Sequence, residues 1–165
     1  MSEIGEMGEY ARSLAQRGEW AIIRSSAGQV SKFHETVEFS FTLGVSSTSK
    51  TEAMISGLPA PVSADIVNDI AARLKAGRIV DQGDVLTDLA NMPIRAYERG
   101  DHIISRGWLG PIREMFPEIE RIIVLVYPDA GGIFPGEPGC DPEIEALQSW
   151  AVGGDFAFGR PAMVH

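Results

Sequence analysis

The sequence predicts an α+β fold in which three to four helices pack on a mostly antiparallel sheet. Three observations support this prediction. The chain has 165 residues, which suits one compact domain, placed here at residues 1–152. Strand-like and helix-like patterns do not alternate strictly, which disfavours a doubly wound parallel sheet. Residues 37–44 alternate apolar and polar side chains, which indicates one strand of an antiparallel hairpin.

The first part of the chain predicts one helix and three strands. Apolar residues recur at helical spacing over residues 3–17, and Gly18 ends that helix. The predicted strands are runs of apolar or alternating residues, at 20–23, 37–44 and 53–57. The segments that join them are polar and predict a turn and a loop, at 25–32 and 45–51.

The clearest helical pattern covers residues 63–76. Ser63 is a favourable N-cap and Gly77 follows the last turn. Between them the apolar side chains form one stripe along the helix. They are Ile66, Val67, Ile70, Ala71 and Leu74.

The remaining elements complete the sheet and its cover. Three segments predict strands: a weak one within 79–92, one at 93–97 that starts at its proline, and the β-branched run at 121–127. Two segments predict helices, at 106–116 and at 142–150. Asp141 is the N-cap of the latter and Pro142 its first residue. Residues 153–165 lack periodicity and predict an extended or disordered tail.

Composition excludes several classes of function. The formal net charge is −9, and no basic cluster of the kind that binds nucleic acid or anionic lipid is present. No apolar run approaches the ~20 residues of a membrane span, and the N-terminus has no signal-peptide pattern. The single cysteine, Cys140, fits a reducing compartment, so a cytoplasmic location is expected.

The strongest candidate site lies at the end of the 121–127 strand. Tyr127 and Asp129 stand there, followed by a glycine-rich turn and Phe134. Asp129 is a candidate catalytic base, and the alternative is a structural role in the turn. Tyr127 and Phe134 are candidate ligand-binding residues, and the alternative is packing in the core.

The preceding hairpin adds two further ligand-binding candidates. Phe41 lies on its apolar face and Thr42 on the opposite face. Among the histidines, His102 beside Asp101 is the second catalytic candidate, because imidazole titrates near neutral pH. Adjacent side chains do not face each other, so this pair is not a dyad by sequence alone.

No cofactor or metal is predicted. The chain has no His-x-x-x-His, no cysteine pair, no Walker pattern and no Gly-x-Ser-x-Gly. Cys140 precedes a predicted helix, which favours a reactive thiolate, but the neighbouring carboxylates oppose it.

Several motifs together resemble the mostly bacterial family called "domain of unknown function 4262". They are Gly-Glu-Trp-Ala-Ile-Ile at 18–23, Phe-Ser-Phe-Thr-Leu-Gly-Val at 39–45, Gly-Leu-Pro at 57–59, Tyr-Pro-Asp-Ala-Gly-Gly-Ile-Phe-Pro-Gly at 127–136, and the acidic helix start at Asp141. The likeness covers about residues 18–150. Two departures are visible: Thr-Ser-Lys-Thr-Glu at 48–52 replaces a usual His-Pro-Glu segment, and Tyr127 and Gly136 replace two usual tryptophans. The family label carries no reaction, so the resemblance implies the fold rather than an activity.

The sequence leaves two functions open. The first is a small-molecule-binding or cofactor-independent metabolic enzyme domain, with an apolar or aromatic pocket at the strand ends that takes an apolar or aromatic metabolite. The alternative is an acidic interaction module, of an immunity or regulatory type, whose carboxylates would cluster on one face. A homodimer is the default assembly for such domains.

Overall fold

The computed structural model describes residues 3–28, 32–98 and 114–152. Most of the helix predicted at 106–116 lies outside these residues, as do the tail from 153 onward and the candidate His102.

Six strands of the described chain form one sheet in the order β1-β2-β3-β6-β5-β4. Their bounds are β1 Ala21–Gly28, β2 Thr36–Leu43, β3 Thr51–Ser56, β4 Val85–Leu86, β5 Ile94–Glu98 and β6 Arg121–Val126. Every neighbouring pair is antiparallel except β3 and β6, which are parallel. The predicted α+β class with a mostly antiparallel sheet is therefore confirmed.

Helices cover both faces of this sheet. They are α1 Glu3–Gln16, α2 Ser46–Ser49, α3 Ala60–Lys75 and α4 Pro142–Ser149, with a 3₁₀ turn at Trp150–Val152 after α4. Because side chains alternate along a strand, β6 contributes to two apolar clusters. Val124 packs in the cluster that holds α1, whereas Ile123 and Leu125 pack in the cluster under α3. The predicted apolar stripe of α3 is buried as expected.

The hairpin turn predicted at 25–32 is wrong over its first half. Residues 25–28 continue β1, and Gly28 pairs with Thr36 of β2. The polar residues of this segment predicted a turn, but they can stand in a strand because β1 lies at the edge of the sheet. Its backbone bonds to one neighbouring strand, and the side chains from Arg24 to Ser26 are exposed to water.

Two further boundaries differ from the predictions. The polar loop at 45–51 contains the short helix α2, in which the Ser49 hydroxyl donates to the Val45 carbonyl at 3.0 Å. α3 begins at Ala60 rather than after Ser63, with Pro59 as its N-cap. Ser63 is buried in the first turn, where its hydroxyl lies 2.8 Å from that of Ser40. The role of Ser63 is therefore contact with the sheet rather than capping of α3.

α4 is fastened to the ends of β3 and β6. The buried side-chain amide of Gln148 accepts from the Tyr127 N–H at 3.0 Å and donates to the Tyr127 carbonyl at 3.1 Å, as a further strand would. The Trp150 indole N–H donates to the Ser56 hydroxyl at 2.7 Å, and that hydroxyl donates to the Leu147 carbonyl at 2.8 Å. The predicted N-cap is confirmed, since the Asp141 carboxylate accepts from the Glu143 N–H at 2.9 Å. These bonds fix the loop that leaves β6.

Candidate functional site

An open groove of about 700 Å³ lies where the parallel strands β3 and β6 both end. Three segments form its walls: the loop and first turns of α3, residues 89–92, and the chain that leaves β6. The lining is mostly apolar, and the volume falls within the ~300–1,000 Å³ usual for small-molecule sites. Its residues are Leu58, Val62, Asp65, Ile66, Leu89, Ala90, Asn91, Met92, Tyr127, Pro128, Asp129 and Ala130.

Tyr127 forms the inner wall of this groove and is almost fully buried. Its hydroxyl has no hydrogen-bond partner among the described residues. Burial alone raises the pKa of this phenol well above its ordinary value, so the ring stays neutral. A buried, unpaired hydroxyl is unfavourable for folding, so its removal should not destabilise the protein.

Tyr127→Phe is expected to leave the free energy of unfolding unchanged or to raise it by up to about 1–2 kcal/mol, because the removed hydroxyl has lost its water without gaining a bond. Urea unfolding followed by tryptophan fluorescence measures this. A loss of more than about 1 kcal/mol would show that the hydroxyl is bonded in the folded protein.

Asp129 organises the loop after β6. One oxygen of its carboxylate accepts from the N–H groups of Gly131 and Ile133, both at 2.9 Å, and the other accepts from Asp141 at 2.9 Å. These backbone donors, Ile133 and Asp141 foremost, lower the pKa of the carboxyl group. Asp129 therefore stays ionised and is a weak base. Its catalytic role stays a prediction, while its part in the turn is visible.

The other predicted ligand-binding residues lie away from the groove. Phe41 is buried in the cluster that holds α1, with its ring centroid 5.9 Å from that of Phe39. Phe134 is buried in the same cluster, and the Arg95 guanidinium lies 4.2 Å from its ring centroid. Thr42 is fully buried and donates to Glu52 at 2.7 Å. Of the four, the groove is lined by Tyr127 alone.

Glu52 is a buried carboxylate that the sequence reasoning did not single out. One oxygen accepts from the Thr42 hydroxyl, and the other accepts from the N–H groups of Gly44 and Ser46 at 2.8 and 3.0 Å. Burial raises the pKa of Glu52 and outweighs these donors, which lower it. The sequence feature that could have indicated Glu52 is a lone charged residue at the start of the apolar run of β3. Its hydrogen bonds to Gly44 and Ser46 show that it stabilises the turn into α2.

A second, polar cavity of about 590 Å³ lies on the other side of the α3 N-terminus, against β1 and β2. Its lining includes Arg24, Glu38 and the hydroxyls of Ser40 and Ser63. Leu58 belongs to both cavities, so the loop between β3 and α3 separates a polar site from an apolar one.

Within residues 3–28, 32–98 and 114–152, no group of three or more His, Cys, Asp or Glu side chains is placed to hold a metal ion. The thiol of Cys140 has its pKa raised to about 11, by burial first and then by the carboxylates of Asp129, Glu145, Asp141 and Glu137. It is therefore protonated at neutral pH, which disfavours a nucleophilic role. None of the described helices is long and apolar enough to span a bilayer.

Together these features define a small α+β protein with an apolar groove at the shared end of two parallel strands. The chain belongs to the family described as domain of unknown function (DUF4262), whose model matches residues 15–141. The match includes β3, the start of α3 and the 127–136 segment, so the groove-forming loops lie inside the family domain. Neither a curated protein nor a solved structure matches the chain.

Proposed function

We propose that the protein binds a small apolar or aromatic metabolite in the groove at the ends of β3 and β6, either as a binding protein or as a cofactor-independent enzyme. The observation that carries this proposal is the groove itself, which combines a suitable volume, mostly apolar walls and a few polar side chains.

The framework around the groove supports this function. Gln148 and Asp129 hold the chain on both sides of Pro128 through backbone hydrogen bonds of 2.9 to 3.1 Å. A preformed wall lowers the entropy lost when a ligand binds. On the facing wall, Val62 is 43% exposed, although it stands among apolar neighbours on α3. A bound apolar ligand would cover this side chain.

Val62→Arg is expected to weaken ligand binding at least about tenfold, because a long charged side chain enters the groove without disturbing the core. Val85→Arg is the matched control: Val85 is 47% exposed and lies on β4, outside the groove. Both substitutions should change the free energy of unfolding by no more than about 0.5 kcal/mol, as is usual for exposed positions. Thermal-shift screening with apolar and aromatic metabolites, followed by calorimetric titration of the best ligand, measures the effect.

Equal loss of binding in the two arginine variants, or no stabilisation of the wild type by any compound, would contradict a ligand site in this groove. In that case the acidic interaction module would be the better explanation of the net charge of −9.

A further inference from the structure

We infer that the ligand of this groove carries a positively charged group, such as an ammonium, attached to its apolar or aromatic body. This inference rests on the proposed function, since it assigns the ligand class of the same groove. The arrangement of charge around the groove carries it.

The charged side chains that line the groove are all negative. Asp65 on α3 and Asp129 after β6 both line the groove, and no described Lys, Arg or His does. Asp129 is anionic throughout the neutral range because backbone N–H groups lower its pKa. An ammonium would therefore meet negative charge on two different walls of the groove, whereas a carboxylate or phosphate would be repelled.

Neither carboxylate is already neutralised by a cation of the described chain. No ion pair among the described residues includes Asp65 or Asp129, and Arg73 on α3 is paired with Asp69 at 3.2 Å and with Asp88 at 2.9 Å. Asp129 uses one oxygen for two N–H groups and the other for one. Since an ionised carboxylate offers about four acceptor positions, it retains room for a donor from a ligand.

The groove also explains why the cation would be attached to an apolar body. Leu58, Val62, Leu89 and Met92 supply aliphatic contact within the same groove. A bare metal ion or a hydrated polyamine has no apolar surface to place against these side chains, so the aliphatic lining would stay exposed to water. An aromatic or aliphatic amine satisfies both parts of the lining.

The test uses three matched series on phenyl, naphthyl and indolyl rings: the methylamine, the methanol and the carboxylic acid of each. Calorimetric titration at low ionic strength should rank amine above alcohol above acid, with about a tenfold step from alcohol to amine. Raising the salt concentration should reduce the preference for the amine, because exposed charges are screened.

Asp65→Asn should reduce the amine preference while leaving affinity for the alcohol unchanged. Asp69→Asn is the control, since it removes the same formal charge one turn further along α3, outside the groove lining, and Arg73 keeps its second partner Asp88 at 2.9 Å. Amine and alcohol binding with equal affinity, or the acid binding most tightly, would overturn this inference and leave the proposed function standing. If no member of the series binds, the proposed function falls and the inference falls with it.

Discussion

Glu52→Ala is expected to destabilise the protein by about 3 kcal/mol or more. The substitution leaves the buried N–H groups of Gly44 and Ser46 without an acceptor, and it leaves the Thr42 hydroxyl with only the Ala53 carbonyl at 3.5 Å. Each unpaired buried donor costs about 1–3 kcal/mol, and the removal of a buried carboxylate offsets only part of that sum. Urea unfolding followed by tryptophan fluorescence measures the loss.

Glu120→Ala is the control for this experiment. Glu120 stands just before β6, and its side chain is 62% exposed beside Lys50. Its substitution should change the free energy of unfolding by no more than about 0.5 kcal/mol. A comparable loss in the two variants would show that Glu52 does not brace the turn into α2.

Glu52 also gives stability a pH dependence with a definite sign. Its pKa in the folded protein is raised above the ordinary value of 4.5, so the folded state favours the protonated carboxyl. The contribution of Glu52 to stability is therefore complete below pH 4.5 and is lost as the pH rises through the folded-state pKa. The charge of Glu52 acts on the Arg12 guanidinium, but Arg12 is paired with Glu118 at 2.8 Å and does not offset the effect of burial on the pKa of Glu52.

Glu52→Gln should flatten this dependence, because an amide can accept from Gly44 and Ser46 with its oxygen and donate to the Thr42 oxygen with its nitrogen. The difference in unfolding free energy between wild type and variant should shift in favour of the variant as the pH rises from 4.5 to 8. Parallel curves for the two proteins would contradict a raised pKa at Glu52.

Much of the fold follows from local patterns in the sequence. β2 was predictable because its apolar face packs on the α1 side while its other face carries Ser40 and Thr42, which are buried but hydrogen-bonded, so the sequence keeps the period-two alternation. α4 was predictable from Asp141 and Pro142, which act locally at its first turn. The first half of the edge strand β1 was predicted, but its second half was not, because exposure on both sides of residues 24–26 removes the apolar signal that identifies a strand.

The site was predictable only in part, because its walls come from three distant segments of the chain. The end of β6 was an identifiable scaffold, since a β-branched strand runs into a proline and glycine turn there. The opposing walls depend on the parallel pairing of β3 with β6, which brings the loop at Leu58 beside Tyr127. Phe41 and Phe134 looked equally suitable as pocket residues, yet both are buried in the cluster on the α1 side, Phe41 from β2 and Phe134 from the loop after β6.

Gly57→Ala is expected to cost about 2–5 kcal/mol of stability. Gly57 has φ of +91°, a left-handed conformation that costs an L-residue about 1–2 kcal/mol. A Cβ atom at this position would also lie 2.5 Å from the Tyr127 hydroxyl and 2.7 Å from the Leu147 Cβ, and overpacking of this kind costs about 1–3 kcal/mol. The tight turn after β3 therefore requires glycine both for its backbone and for its neighbours.

Gly77→Ala separates the two causes, because Gly77 has φ of +88° but a Cβ there would meet no atom within 4 Å. It should lose only the conformational part, about 1–2 kcal/mol. The packing part should depend on Tyr127, whose ring places the hydroxyl against the turn. In the Tyr127→Phe background, Gly57→Ala should therefore cost at least about 0.5 kcal/mol less than in the wild type, while Gly77→Ala should cost the same in both. If Gly57→Ala costs the same in both backgrounds, the Tyr127 hydroxyl does not obstruct a Cβ atom at position 57. The Tyr127 side chain, which forms the inner wall of the groove, would then be able to shift away from the loop that separates the two cavities.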